Sequence, residues 1–192
     1  ALVLTGSTGT RPSFMAGADF GALEDAKTTP EFLELEGHSE SLIKSLEALA
    51  FPTVAAIAGP CVGGGALIAA ACDVRIISPS ARYGFPIART VGNCLSALNY
   101  QRLVDLFGAA MTKEMIFSAR LLDASALMAS GAFRELVEEE ELEAAAGRVA
   151  EVKQYVAAGH EQRTIVATSE SVAFDDETTD RKAGADHLPF DD

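Results

Sequence analysis

The sequence predicts an α/β domain in which a parallel sheet is covered by helices. Three observations carry that expectation. Short apolar runs at Leu2 to Leu4, Thr53 to Ala58 and Val74 to Ile77 read as buried strands. Stretches with three- and four-residue apolar spacing lie between and after them. Gly, Pro and Ser cluster at the joins. The 192 residues, 48% of them apolar, suit one large domain with a sizeable core.

Ala1 to Thr5 reads as the first strand. A domain seldom starts in mid-strand, so an N-terminal piece is expected to precede Ala1, and no signal peptide is visible. A loop rich in Gly, Ser and Thr follows from Gly6 to about Gly17, then a short helix over Asp19 to Asp25. Thr29-Pro30 looks like a helix start, with Pro30 at the first helical position. Phe32, Leu35, Leu42, Leu46 and Leu49 then form an amphipathic stripe that Phe51-Pro52 ends. Thr53 to Ala58 is the second strand, a glycine-opened helix runs to about Cys72, and Val74 to Ile77 is the third strand. Ser78-Pro79-Ser80 turns the chain into a short strand at Arg82 to Phe85. Helices are expected at Ser96 to Phe107, Thr112 to Ala119 and, capped by Asp123, up to Ala129. Glu139 to Ala157 reads as a helix with an acidic first turn. After Ser169 the chain shows no period and reads as loop or disorder.

Charge and cysteine usage narrow the function. The net charge of −13 argues against general nucleic-acid or anionic-membrane binding. Residues 169–192 contribute −6 of it, from eight carboxylates against Arg181 and Lys182, which leaves −7 for the preceding 168 residues. No run approaches the ~18 apolar residues of a spanning helix. Cys61, Cys72 and Cys94 form no CxxC pair, which suggests free thiols in a reducing, cytoplasmic setting and no metal site. His38, His160 and His187 are scattered and read as surface residues.

The run Gly59-Pro60-Cys61-Val62-Gly63-Gly64-Gly65 opens an almost wholly apolar helix. Glycines at a helix start can expose backbone N–H groups to an anion or a developing oxyanion. They can equally serve close packing at a tight turn. A second small-residue turn, Phe14-Met15-Ala16-Gly17-Ala18-Asp19, follows the first strand. Alone it is a capped helix start. Together, the two turns could each aim one N–H at the same oxygen.

These two segments, followed by Ala71-Cys72-Asp73-Val74-Arg75-Ile76, closely resemble the crotonase (enoyl-CoA hydratase/isomerase) family. Ser80 to Pro86 and Asp123 to Leu127 look like further landmarks in matching order, and the resemblance covers roughly Ala1 to Val156. It implies a crotonase-like spiral of strand-strand-helix repeats, with two roughly perpendicular sheets and a helical C-terminal region. The domain would span 1–168, with 169–192 as an acidic tail. It also implies a homotrimer or dimer of trimers, and coenzyme A only as part of an acyl-CoA substrate.

By position in these motifs, the resemblance implies an oxyanion hole formed by the N–H groups of Ala18 and Gly64. Two preorganised donors would stabilise enolate or oxyanion charge on a thioester oxygen, each contributing roughly 3–4 kcal/mol. The loop with Ala16, Ala18 and Phe20 would bind the adenine end of CoA. Arg11 would meet a CoA phosphate or stand solvated.

Two departures from the family pattern matter as much. Its hydratases carry catalytic glutamates two residues after the triple glycine and directly after the Pro86 position; this chain has Leu67 and Ile87. Neither moves a proton, and such groups contribute ~10²–10⁴-fold each. Arg89 and Asn93 are the candidate polar replacements, for binding an acyl carboxylate and for orienting water; a salt-bridged arginine and a helix cap are the alternatives. Cys94 reads as a small core residue. The expected activity is that of an acyl-CoA lyase, isomerase or hydrolase of fatty-acid metabolism with non-standard acid–base groups. A non-catalytic acyl-CoA-binding or assembly subunit is the alternative.

Overall fold

Buried on both faces, the three apolar runs lie side by side as predicted. The computed structural model describes residues 1–7, 9–17, 28–90, 95–150 and 163–166. In order, its elements are β1 (Leu2–Thr5), α1 (Thr29–Glu47), β2 (Thr53–Ile57), β3 (Pro60–Val62), α2 (Gly64–Ala71), β4 (Val74–Ile77), β5 (Arg82–Gly84) and α3 (Ile87–Thr90). Then come α4 (Ala97–Ser118), β6 (Leu122–Asp123), α5 (Ala124–Ala129), β7 (Glu135–Leu136), α6 (Leu142–Ala150) and β8 (Arg163–Val166). One sheet has the order β7-β4-β2-β1-β8 and is parallel throughout; a second has the order β3-β5-β6.

Strand alternation sorts the core into two layers. Val3, Val54, Ala56 and Ile76 face Leu142, Ala145, Ala146 and Ala150 of α6. Leu2, Leu4, Ala55, Ile57 and Ile77 belong to the larger core with Ile43 and Leu46 of α1 and Ala66, Leu67 and Ala69 of α2. Each such Leu or Ile side chain contributes roughly 1.5–3 kcal/mol on burial. Outside the core, Arg102 of α4 is bound by both Glu40 and Glu47 of α1, at 2.9 and 2.6 Å, which ties these helices together.

Several boundaries differ from the sequence reading. Helix α1 begins one residue early. Thr28, not Thr29, is its cap, because Glu31 sits where its carboxylate can accept the Thr28 N–H (3.0 Å) while the Thr28 hydroxyl accepts the Glu31 N–H (3.4 Å). The two helices expected at Ser96 to Phe107 and Thr112 to Ala119 are joined in α4. Gly108 absorbs the break within one residue (φ 72°, ψ 163°), so no loop separates them. The acidic start at Glu139 is a 3₁₀ turn, Glu139–Glu141, that leads into α6. Strands β3, β6, β7 and β8 were not anticipated. The predicted helix at 19–25, residues 151–157 of the last helix and the tail from 169 lie outside the described residues.

Candidate functional site

The loop after β1 returns alongside β3 and stitches the two glycine-bearing segments together. The N–H groups of Phe14 and Met15 both donate to Pro60 O at 3.0 Å, and Val62 N–H donates to Met15 O at 2.9 Å. At the end of this seam Gly17 and Gly63 take φ values of 103° and 59°, left-handed conformations that favour glycine. A Cβ on Gly17 would stand 3.9 Å from Gly64 N, and one on Gly63 would stand 3.8 Å from Gly17 Cα. Gly17 therefore lies against the start of α2.

At its cap, Gly63, that start is held by backbone bonds. Gly63 caps α2 without a side-chain hydrogen bond. Its N–H donates to Gly84 O at 3.0 Å, and its carbonyl accepts Leu67 N–H at 3.1 Å. A trans peptide points its N–H opposite to its C=O, so a Gly63 carbonyl turned into the helix sends the Gly64 N–H out of the helix end. Among the described residues this N–H has no hydrogen-bond partner. It lies at the positive end of the helix dipole, in a first turn free of acidic side chains.

The other end of α2 is held by a buried guanidinium. Arg75 donates to the carbonyls of Ala69 and Ala70 at 3.3 Å, to that of Cys72, and to Ala132 O at 2.9 Å. Burial lowers its pKa from the usual guanidinium value, while neighbouring Cys72, Tyr83 and Asp73 act the other way. Its charge complements the carbonyl end of the helix. The cysteines on either side of α2 are unsuited to nucleophilic work. Burial pushes the Cys61 thiol well up and the Cys72 thiol up to about 12.

At the two positions where the resemblance leads one to expect glutamate, Leu67 is 6% exposed in the core, and Ile87 is half-buried against the same core. Among the described residues, the buried polar and charged side chains are Thr5, Thr53, Arg75, Ser78 and Thr112, so none is a carboxylate. Arg11, Ala16 and Arg89 are exposed, Arg89 on α3, and His38 is exposed on α1. Ala18, Phe20, Asn93, Cys94, His160 and His187 lie outside the described residues. Within them, no group of three or more His, Cys, Asp or Glu could hold a metal ion, and no helix is long and apolar enough to cross a membrane. Sequence reasoning missed Tyr83 and Arg75 as supports of α2. Their only signal was membership of the landmark segments.

Comparison with known proteins bears on this arrangement. The profile of the enoyl-CoA hydratase/isomerase family matches residues 1–183. A short-chain-enoyl-CoA hydratase of Clostridium acetobutylicum is 35% identical over 147 residues, which cover 74% of this chain and 53% of that protein. A crotonyl-CoA hydratase of Syntrophomonas wolfei is 31% identical over 141 residues, covering 73% and 53%. The crystal structure of an enoyl-CoA hydratase from Bacillus anthracis superposes with a TM-score of 0.70 at 31% identity, covering 78% of this chain and 56% of that one. The chain spans about half the length of these relatives. With the profile matched over nearly all of its length, a crotonase-fold likeness and the seam that sets Gly17 against Gly64, the chain belongs to the enoyl-CoA hydratase/isomerase family.

Proposed function

We propose that the chain binds an acyl-CoA thioester through its carbonyl oxygen and stabilises the charge that develops there. The N–H of Gly64 is one donor. By resemblance, that of Ala18, next in the chain after Gly17, is the other. The observation that carries this reading is the outward Gly64 N–H at the positive end of α2, with Gly17 beside it. The reaction is of the enoyl-CoA hydratase/isomerase type, a lyase or isomerase step on a fatty acyl group. Its proton-transfer groups differ from the usual pair, since Leu67 and Ile87 carry no proton. Arg89 and Asn93 are the candidates to replace them, with Arg11, Ala16 and Phe20 toward the CoA moiety and a homotrimer or dimer of trimers as the assembly.

The test is a panel of acyl- and enoyl-CoA thioesters, starting from crotonyl-CoA because two relatives are named for short enoyl substrates. Binding is followed by calorimetry and products by mass spectrometry. Gly64→Pro isolates the donor. Proline suits the first helical position, so the helix persists while the N–H is lost. Turnover should fall by ~10²–10³-fold. Equal binding and turnover in the variant, or no saturable thioester binding by the wild type, would sink the reading.

Aliphatic side chains at both 67 and 87 favour a second reading, a non-catalytic acyl-CoA-binding or assembly subunit. It expects saturable binding with no product from any thioester in the panel.

A further inference from the structure

We propose that Tyr83 is a positioning residue for this site. Acting through the first turn of α2, its phenol holds the Gly64 N–H on the line of approach of a thioester oxygen. The inference rests on the reading above that Gly64 supplies a donor.

Strand β5 grips the start of α2 at two points. Gly84 O accepts the Gly63 N–H at 3.0 Å, and the Tyr83 hydroxyl donates to Ala66 O at 2.7 Å. These contacts flank Gly64 in the chain. Gly63 precedes it, and Ala66 lies in the first turn that it opens. A carbonyl has two lone pairs, so Ala66 can accept the phenol as well as its partner in the helical ladder. The Cys61 thiol also donates to Gly65 O at 3.7 Å, a weak bond, and Gly65 packs on Met15, but neither contact has the short, directional geometry of the phenol. Gly63 offers no side-chain cap, and three successive glycines leave the backbone more freedom than any other residue would.

The phenol is itself well anchored. Tyr83 is 0% exposed, with the rings of Phe85, Phe107 and Phe133 at 5.9, 5.5 and 5.7 Å between centroids. Burial pushes its pKa well above the usual phenol value, so the hydroxyl keeps its proton and remains a donor. A rigid ring with one hydrogen bond to the helix start fixes orientation as well as stability.

A purely structural role predicts only a lower melting temperature for Tyr83→Phe, which removes one oxygen and keeps the ring. A positioning role also predicts weaker polarisation of a bound thioester, because hydrogen bonds weaken steeply as they lose alignment. Butyryl-CoA labelled with ¹³C at its carbonyl, which has no double bond to hydrate, is the probe. Isotope-edited infrared spectroscopy should show its carbonyl band at lower wavenumber when bound to the wild type than when free. Tyr83→Phe should lose at least about half of that displacement. Its Kd for free coenzyme A, which presents no carbonyl of this kind, should stay within about threefold.

Phe107→Leu is the second variant. It loosens the packing around the ring but keeps the hydroxyl, so it should lower the melting temperature and leave the band in place. An unmoved band in Tyr83→Phe overturns the proposal, and so does an equal loss in Phe107→Leu, which would mean general loosening. A Tyr83→Phe chain that fails to fold, judged by circular dichroism, also overturns it, because the hydroxyl would then hold the domain rather than the site. If the wild type itself displaces no band, the Gly64 donor reading fails and takes this inference with it. That outcome is distinct from the others.

Discussion

Gly65→Ala is expected to destabilise the domain, although alanine is the better helix former. A Cβ at this position would stand 2.5 Å from both Met15 Cβ and Met15 O and 2.9 Å from Met15 C. Carbon contacts are comfortable at about 3.5–4.0 Å, so the helix and the loop would have to part by about 1 Å. A change of rotamer cannot relieve this, because two of the three atoms are backbone. Met15 is also bonded on both sides, its N–H to Pro60 O and its carbonyl to Val62 N–H. Overpacking of this kind costs about 1–3 kcal/mol, while the gain in helix propensity is at most about 1 kcal/mol. The clash is with backbone, so the upper part of the first range applies, and the net loss is about 1–2 kcal/mol, or roughly 2–8 °C in melting temperature for a domain of this size. Gly37→Ala is the internal control. Gly37 is exposed in α1 with nothing within 4 Å of a Cβ, so the same substitution should stabilise by about 0.5–1 kcal/mol. Thermal and urea denaturation followed by circular dichroism read both. Two shifts of the same sign, or a Gly65→Ala protein as stable as the wild type, would refute the close approach of α2 to the Met15 segment.

Two further outcomes follow from buried groups away from the donor. The folded state holds the Cys72 proton up to about pH 12, against an ordinary thiol value of 9.0. Its pKa is raised on folding, so its contribution is complete below about pH 9 and is lost as pH rises toward 12, by up to about 1.4 kcal/mol per pH unit. Cys72→Ala should therefore flatten the alkaline limb of a stability curve measured by urea denaturation from about pH 8 to 10.5; an equally steep limb counts against the burial. Thr112 is 2% exposed, and its hydroxyl finds no hydrogen-bond partner among the described residues. Thr112→Val should raise stability by about 1 kcal/mol, and a loss on the same measurement would mean that the hydroxyl is bonded.

What could be read in advance divides along the range of the forces involved. β1, β2 and β4 were legible because burial on both faces writes a continuous apolar run. The Asp123 cap of α5 was legible because its hydrogen bond to Ala126 N–H spans three residues. The strand at Pro60–Val62 was not. Its partners, Met15 on one side and Arg82 to Gly84 on the other, lie 20 or more residues away in the chain, and three residues carry no usable period. The same seam decides the site. From physical pattern alone each glycine turn was ambiguous; taken together they could serve one oxygen, and the resemblance named the donors. The structure keeps both readings of the triple glycine, for different residues: Gly65 permits close packing, while Gly64 presents its N–H outward. Tyr83 was hidden for a related reason. A tyrosine in a short strand reads as core, and nothing local reveals which carbonyl its hydroxyl will meet.

The leucine at 67 changes more than proton transfer. It lies three residues after Gly64, one helical turn on, and helical side chains lean back toward the N-terminus. The aliphatic group thus covers the turn that carries the proposed donor. A carboxylate at 67, where the resemblance expects one, would put a negative charge one helical turn, about 5–6 Å, from the residue whose N–H is the proposed donor. At an effective dielectric of about 20, the repulsion of an oxyanion at that distance would be about 3 kcal/mol. That is the size of one oxyanion-hole donor, about 2.7–4 kcal/mol. By the resemblance, a hydratase would accept this repulsion because the same group moves the proton. With leucine the opposite balance holds, and on the proposed reading the site stabilises charge better while needing its proton from elsewhere. If that reading holds, thioesters that ionise without help from position 67 are expected to give the fastest product formation in the acyl-CoA panel, read by mass spectrometry, and hydration of crotonyl-CoA at an equal rate would refute it.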